Sequence, residues 1–498
     1  MKTIRVLLSI GIASSQLFLF GCSLTPKADM SVDTPVAQCE QLLAHIQRAV
    51  ADHQTQDAQY QTLPRFPTYR TNRFWSSFQV QELTPKQEEQ WRQRLHRLGM
   101  SSLEVEWRNL PRNVRQTLPF NEFSTQCHQL LFTRSMQQSI TDADLAVEDS
   151  YNDWLRFFGL YALIKYGAVG SIAEYQEEMR QRIEAFDGIA GAFNVYQPLE
   201  TSADPPMQEW LEKAYRDNAL GVPELSAERL HKVMVAHAPN LQVAHESDAD
   251  LPGTARWTEQ SGQLQRQVDQ RQPVVYTYPS YIRYNKRILL QLNYTLWFSE
   301  RPKPSKDDWY GGKLDGLVWR VTLNTDGSVL MYDSIHPCGC YHTVHVPVAS
   351  PLHGTVLALD QSDSPEPVMF FSNPLQSTEG LQDGKLQLSL ESGTHYLVKV
   401  DRSNSPPSTT TYGYELADYD TLRSLPVFTR DGDYRSWFDG NGLIAESARR
   451  ERYFLWPLGV ESAGAMRQQG NHAIAFVGKR HFDEASIETL LNLPDQEK

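Results

Sequence analysis

The sequence predicts an α+β chain, with a helical N-terminal region followed by a mainly antiparallel, β-rich C-terminal region. Three observations carry that prediction. Apolar residues recur at three- and four-residue spacings up to about residue 265, two-residue alternation broken by turn signals takes over after Gln272, and no βαβ rhythm or internal repeat appears. At 498 residues the chain is longer than most single domains. Its segments are expected at 1–21 (a leader), 22–35 (a tether), 36–265 (mainly helical) and 270–498 (β-rich).

The chain opens MKTIRVLLSIGIASSQLFLFGCS, with Lys2 and Arg5 ahead of an apolar run from Val6 to Phe20. Ser9, Ser14, Ser15 and Gln16 interrupt the run. That makes it marginal for about 30 Å of hydrocarbon, and it reads as a cleaved export signal rather than a spanning helix. Leu19-Phe20-Gly21-Cys22 resembles the lipobox of bacterial lipoproteins. The resemblance implies that Cys22 becomes the lipid-bearing first residue of the mature chain. Ser23 after it, rather than Asp, implies sorting to an outer membrane with the protein facing the periplasm. An ordinary secretory signal with a chance cysteine is the alternative. Several acyl chains on Cys22 would anchor the chain stably to a membrane, where one chain would not. SLTPKADMSVDTP, from Ser23 to Pro35, is polar and punctuated by proline, as a tether is.

In the helical region, VAQCEQLLAHIQRAVADH places Val36, Cys39, Leu42, Leu43, Ile46 and Val50 on one stripe. TPKQEEQWRQRLHRLGM offers Thr84 as N-cap and Pro85 as the first helical residue. DSYNDWLRFFGLYALIKYG, Asp149 to Gly167, is rich in Trp154, Phe157, Phe158, Tyr161 and Tyr166, types that favour a membrane interface. Apolar residues surround much of that helix, however, so it is expected in the core. The segment from Pro239 to Gly262 turns polar and reads as a boundary loop. Its His245, Glu246, Asp248 and Asp250 lack the spacing of a calcium loop and read as solvated.

Strands follow. VVYTYPSYIRY and RILLQLNYTLWF flank the hairpin turn Asn285-Lys286. In the second of them Gln291, Asn293 and Thr295 form a polar, uncharged face that either lines a pocket or meets solvent. GLVWRVTL and SVLMYDSI pair across Asn324 to Gly327. Further strands are expected at PVMFFS, in KLQLSLESGTHYLVKV around Glu391-Ser392-Gly393, and at HAIAFVG, with a last helix at DEASIETLLNL.

Five cysteines are present. Lipidation of Cys22 would leave Cys39, Cys127, Cys338 and Cys340, an even number that suits two disulfides in an oxidising compartment. Four cysteines allow three pairings, of which Cys39 with Cys127 is the expected one for the first half.

HPCGCYHTVH, residues 336–345, concentrates three histidines and two cysteines, although His and Cys together are only about 4% of the chain. Alternation puts His336, Cys338, Cys340 and His342 on one face of an extended strand, with His345 on the other. Same-face neighbours lie about 7 Å apart, so a single site requires a bend, which Pro337 and Gly339 allow. Three chemistries fit. His336, Cys338, Cys340 and His342, with His345 as a fifth or supporting group, could bind Zn, Fe or Cu, in a structural or catalytic site. A Cys-Gly-Cys disulfide could act as a structural clasp in a non-enzymatic envelope scaffold. A thiol activated by a neighbouring histidine could do redox or acyl-transfer chemistry, with Asp333 as an orienting group. The spacing is neither that of a zinc finger nor the haem motif C-x-x-C-H. His353, His395, His472 and His481 are further candidates to complete a site.

Net charge −13 favours neither nucleic acid nor an anionic lipid surface as partner, and the membrane is the expected one only through the lipid anchor. No G-x-S-x-G, H-E-x-x-H, P-loop or dinucleotide-binding motif assigns an enzyme class, so whether the site is catalytic stays open at this level.

Overall fold

The computed structural model describes residues 34–189, 191–201, 205–359, 366–373, 385–402, 410–430 and 432–493. The leader, Cys22 and the tether up to residue 33 lie outside the described residues. The protein is α+β, with helices dominating the first part and a large mixed sheet the rest.

Helix Pro35–Asp52 starts where Thr34 accepts a hydrogen bond from Ala37 N, and it buries Cys39, Leu43, Ile46 and Val50, the expected stripe. Cys39 is disulfide-bonded to Cys127, which ties this helix to the segment 88 residues further on. Helix Pro85–Arg108 begins in a capping box between Thr84 and Gln87, with Pro85 in its first turn. It presses on strand Phe66–Thr71 so closely that a Cβ on Gly99 would lie 2.0 Å from Thr68 O.

The large sheet has thirteen strands among the described residues, joined by eight antiparallel and four parallel pairings. Its centre is an antiparallel run of Val274–Tyr284, Arg287–Arg301, Gly312–Leu323, Val329–Ile335 and Thr343–Pro347. Asn285 and Lys286 both adopt positive φ, 49° and 64°, as a two-residue hairpin turn of the favoured twist requires.

The sheet reaches back across the expected boundary near 265–270. Phe193–Pro198, Asn240–Ala244, Pro252–Gln260 and Gln263–Asp269 all belong to it. The parallel pairings explain why: Thr411–Asp418 lies between Phe193–Pro198 and Val274–Tyr284, so late strands complete early ones. The polar segment 239–262 is therefore largely strand rather than a boundary loop.

Three more expectations are corrected. The polar face of strand Arg287–Arg301 lies away from the cavity beside the cluster and is shielded from solvent. Gln291 donates to Thr322 Oγ1 and Asn293 Nδ2 to Tyr278 O, so neighbouring strands take up its donors, while Asn293 Oδ1 is left without a partner. The aromatic stretch 149–167 is not core. It forms helices Asp153–Phe158 and Tyr161–Glu184, on which Trp154, Phe157, Phe158, Leu163 and Tyr166 are 69 to 74% exposed. HAIAFVG makes only an isolated bridge, Ala473 to His481, because the chain there wraps around the turn at Gly339.

Candidate functional site

The cluster 336–345 closes the hairpin between Val329–Ile335 and Thr343–Pro347. Ile335 is the last strand residue. His336 N then donates to Cys340 O (3.0 Å), and Gly339 N donates to His336 O (2.8 Å), so the chain bends over Pro337 to Gly339. Gly339 has φ +88°, and a Cβ there would sit 2.3 Å from Ala473 O. Tyr341 also takes positive φ, 66°. The bend falls where Pro337 and Gly339 allow one, but it separates the side chains that a single site would have needed it to gather.

The three histidines go three ways. His336 donates through Nδ1 to Asp315 Oδ1 (3.2 Å). His342 Nε2 pairs with Asp333 Oδ2 (3.2 Å), a carboxylate already held by Arg320, whose Nε donates to Oδ1 at 2.9 Å. His345 Nε2 is 3.3 Å from Thr343 Oγ1, and its ring stacks on Phe371. Among the described residues no three or more His, Cys, Asp or Glu side chains gather in a geometry that would hold a metal ion.

Cys338 and Cys340 are free thiols in this arrangement. Cys340 N donates to Cys338 Sγ at 3.4 Å. The neighbouring Cys338 thiol, with burial second, pushes the Cys340 thiol well above its ordinary pKa, so Cys340 keeps its proton. The Arg467 guanidinium bears electrostatically on both sulfurs.

A chain of buried groups stands behind His336. Asp315 receives His336 on one oxygen and His395 Nδ1 on the other (2.9 Å), while His395 Nε2 lies 3.5 Å from Asp250 Oδ1. Asp250, expected in a solvated loop, is fully buried and accepts from the backbone N–H groups of Glu246, Ser247 and Gly393. Burial alone would raise the Asp315 carboxyl, but the two histidines outweigh it and hold it well below the usual range. Burial would lower His395; the carboxylates of Asp250 and Asp315 outweigh it, and its pKa is raised. The remaining nitrogen of His336, Nε2, is buried without a hydrogen-bond partner.

His336, Cys338 and Cys340 line a cavity of about 680 Å³, within the range of small-molecule sites. One wall is helix Tyr161–Glu184, through Leu163, Ile164, Ala168, Ile172 and Tyr175. Another is aromatic: Tyr341 stacks on Tyr396 at 4.2 Å, and the Tyr396 hydroxyl meets that of Tyr175 at 3.0 Å. Glu451 lines it too, its carboxyl pushed up to about 7 by burial against the opposing pull of Arg301 and Arg449.

Sequence reasoning named His336, Cys338, Cys340 and His395 but missed Asp315 and Glu451. Asp315 carries a legible signal, a lone acid at the head of the strand GKLDGLVWRVTL, which otherwise reads as buried. Glu451 sits inside Arg449-Arg450-Glu451-Arg452, where a charge run reads as surface and nothing local says otherwise. No protein-family model matches the chain, and no curated protein or solved structure matches it either, so its chemistry is argued from its own residues.

Proposed function

We propose that the chain is an outer-membrane-anchored, periplasm-facing lipoprotein, held by Cys22, whose cavity carries out thiol-dependent acyl transfer or hydrolysis. The observation that carries this reading is His336, with Nδ1 fixed by a buried carboxylate and Nε2 unpartnered, lining the same largely apolar cavity as two free thiols. A nucleophile, a base and a group orienting the base are what covalent acyl chemistry needs.

In the first half-reaction His336 Nε2 takes the Cys338 thiol proton, and the thiolate attacks the acyl carbonyl carbon. The new C–S bond forms as the C–O bond to the alcohol breaks, and the His336 imidazolium returns its proton to the departing alkoxide. In the second, water or an acceptor hydroxyl gives its proton to His336 while its oxygen attacks the thioester. The C–S bond breaks and His336 reprotonates Cys338. Asp315 stays ionised throughout and holds the ring in the tautomer that leaves Nε2 free as a base. The Cys340 backbone N–H donates to the Cys338 sulfur.

The test incubates the chain with a p-nitrophenyl acyl ester and measures nitrophenolate release with intact mass. An acyl adduct on Cys338, absent in Cys338→Ala and slowed by about 10²-fold or more in His336→Ala, is expected. No adduct, or one unaffected by either change, overturns the reading.

The pair of free thiols on one turn also favours a second reading, a soft-metal site for Zn, Fe or Cu with His336 as the imidazole of the same turn. Bound metal in the purified chain that is lost in Cys338→Ser/Cys340→Ser would establish it. A stable Cys338–Cys340 disulfide without metal or adduct would leave a structural clasp.

A further inference from the structure

Helix Asp153–Phe158 and the first turns of helix Tyr161–Glu184 present an apolar surface that the fold does not cover. Leu160 is exposed beside the five side chains named above, and Phe454 and Trp456 extend the patch from the segment packed against it. Scattered exposed apolar residues need no explanation, but Trp154, Phe157 and Phe158 adjoin one another ring against ring, and they do. The stretch from Trp154 to Ile172 itself carries no acid. From Trp154 to Ile172 the only charged residues are Arg156 and Lys165, in a chain of net charge −13, and Asp153 just before them is paired with Lys479 at 2.8 Å.

The same helix has a second side. Ile164, Ala168 and Ile172 face the cavity, and Leu163 belongs to both the exposed patch and the cavity lining. Gly167 lines the cavity as well, and a Cβ there would meet nothing within 4 Å, so the helix is unpacked at that point. One helix therefore separates an exposed apolar surface from an apolar cavity that ends at Cys338.

We infer that this surface docks on a lipid bilayer and that the cavity behind it takes an acyl chain from a bilayer lipid. The inference deepens the reading above, from acyl transfer in general to acyl lipid as substrate class. Trp and Tyr at the rim with Phe and Leu between them is the composition of an interfacial helix, and Lys165, over the Tyr166 ring, is the cation that meets an anionic headgroup, Arg156 being held by Leu458 O, Gly478 O and the Tyr151 and Tyr161 rings. The tether agrees. Twelve residues separate Cys22 from the helix that begins at Pro35, a reach of about 40 Å when extended, long enough for the domain to turn this face to the membrane that holds it.

The experiment uses the mature chain from residue 23, which keeps every described residue but carries no lipid. It is mixed with vesicles of phosphatidylethanolamine and phosphatidylglycerol and floated through a density gradient. The parent is expected to float. Trp154→Ser/Phe157→Ser/Phe158→Ser/Leu163→Ser, all at exposed positions, should bind at least tenfold less with an unchanged melting curve. A parent that stays at the bottom, or a variant that floats equally, overturns the docking. So does a dimer that the variant abolishes while neither protein floats, which would assign the face to a second copy. The cavity is tested separately with cis-parinaric acid: fluorescence enhancement with the parent, weakened at least tenfold by Gly167→Phe with flotation unchanged, is expected. No enhancement with the parent overturns the acyl-chain assignment. Neither measurement needs catalysis, so failure of the thiol chemistry and failure of the docking are told apart.

Discussion

His336 Nδ1 lies 3.2 Å from Asp315 Oδ1, with the two side chains only 4% and 1% exposed. Asp315→Asn removes the charge that orients His336 and faces His395. It should slow acylation of Cys338 by about 10²-fold or more while leaving flotation on vesicles intact. Stopped-flow release of nitrophenolate, beside a melting curve, measures both effects.

The stability of the protein should peak near neutral pH, limited on each side by different histidines. Burial holds His345 at about 4 and His472 at about 3. The unfolded chain therefore takes up protons that the fold excludes, and stability falls as pH drops from about 6.5 towards those values. His395 acts oppositely. Its raised pKa gives stability that is complete below about 6.5 and is lost as pH rises through the folded value. Denaturant midpoints between pH 4 and 9 should show both slopes, and His395→Gln should flatten the alkaline one.

Arg320 and Asp333 form a buried bidentate pair across neighbouring strands, with the guanidinium 3.6 Å over the Phe482 ring. Asp333→Ala leaves Arg320 buried and uncompensated. By urea denaturation it should cost about 3–5 kcal/mol, far more than removal of an exposed pair such as Lys213–Asp217.

Gly339→Ala should damage the thiol site directly. The turn holds residue 339 at φ +88°, which an L side chain rarely adopts, and the added Cβ would lie 2.3 Å from Ala473 O, so the turn that places Cys338 and Cys340 must shift. A changed rate of thiol alkylation by iodoacetamide, with the bulk of the fold retained by far-UV circular dichroism, is the expected outcome.

The sequence itself determined what depends on neighbours along the chain. The stripe of Pro35–Asp52, the cap at Thr84, the turn at Asn285-Lys286 and the bend forced on HPCGCYHTVH by Pro337 and Gly339 are all local, governed by periodicity and backbone sterics. The disulfide was legible for a related reason: four cysteines leave few pairings.

The tertiary structure alone decided which partner each functional group meets. Asp315, His395 and Asp250 converge from positions up to 145 residues apart, because strand pairings between distant segments bring their elements together. Residue type could not reveal that His342 and His345 turn away to Asp333 and Thr343, nor that Glu451 is buried within a basic run. The aromatic helix shows the same limit from the other side. An apolar stretch at helical spacing states that it avoids water, but whether it does so in the protein core or on a bilayer depends on what the rest of the fold leaves uncovered.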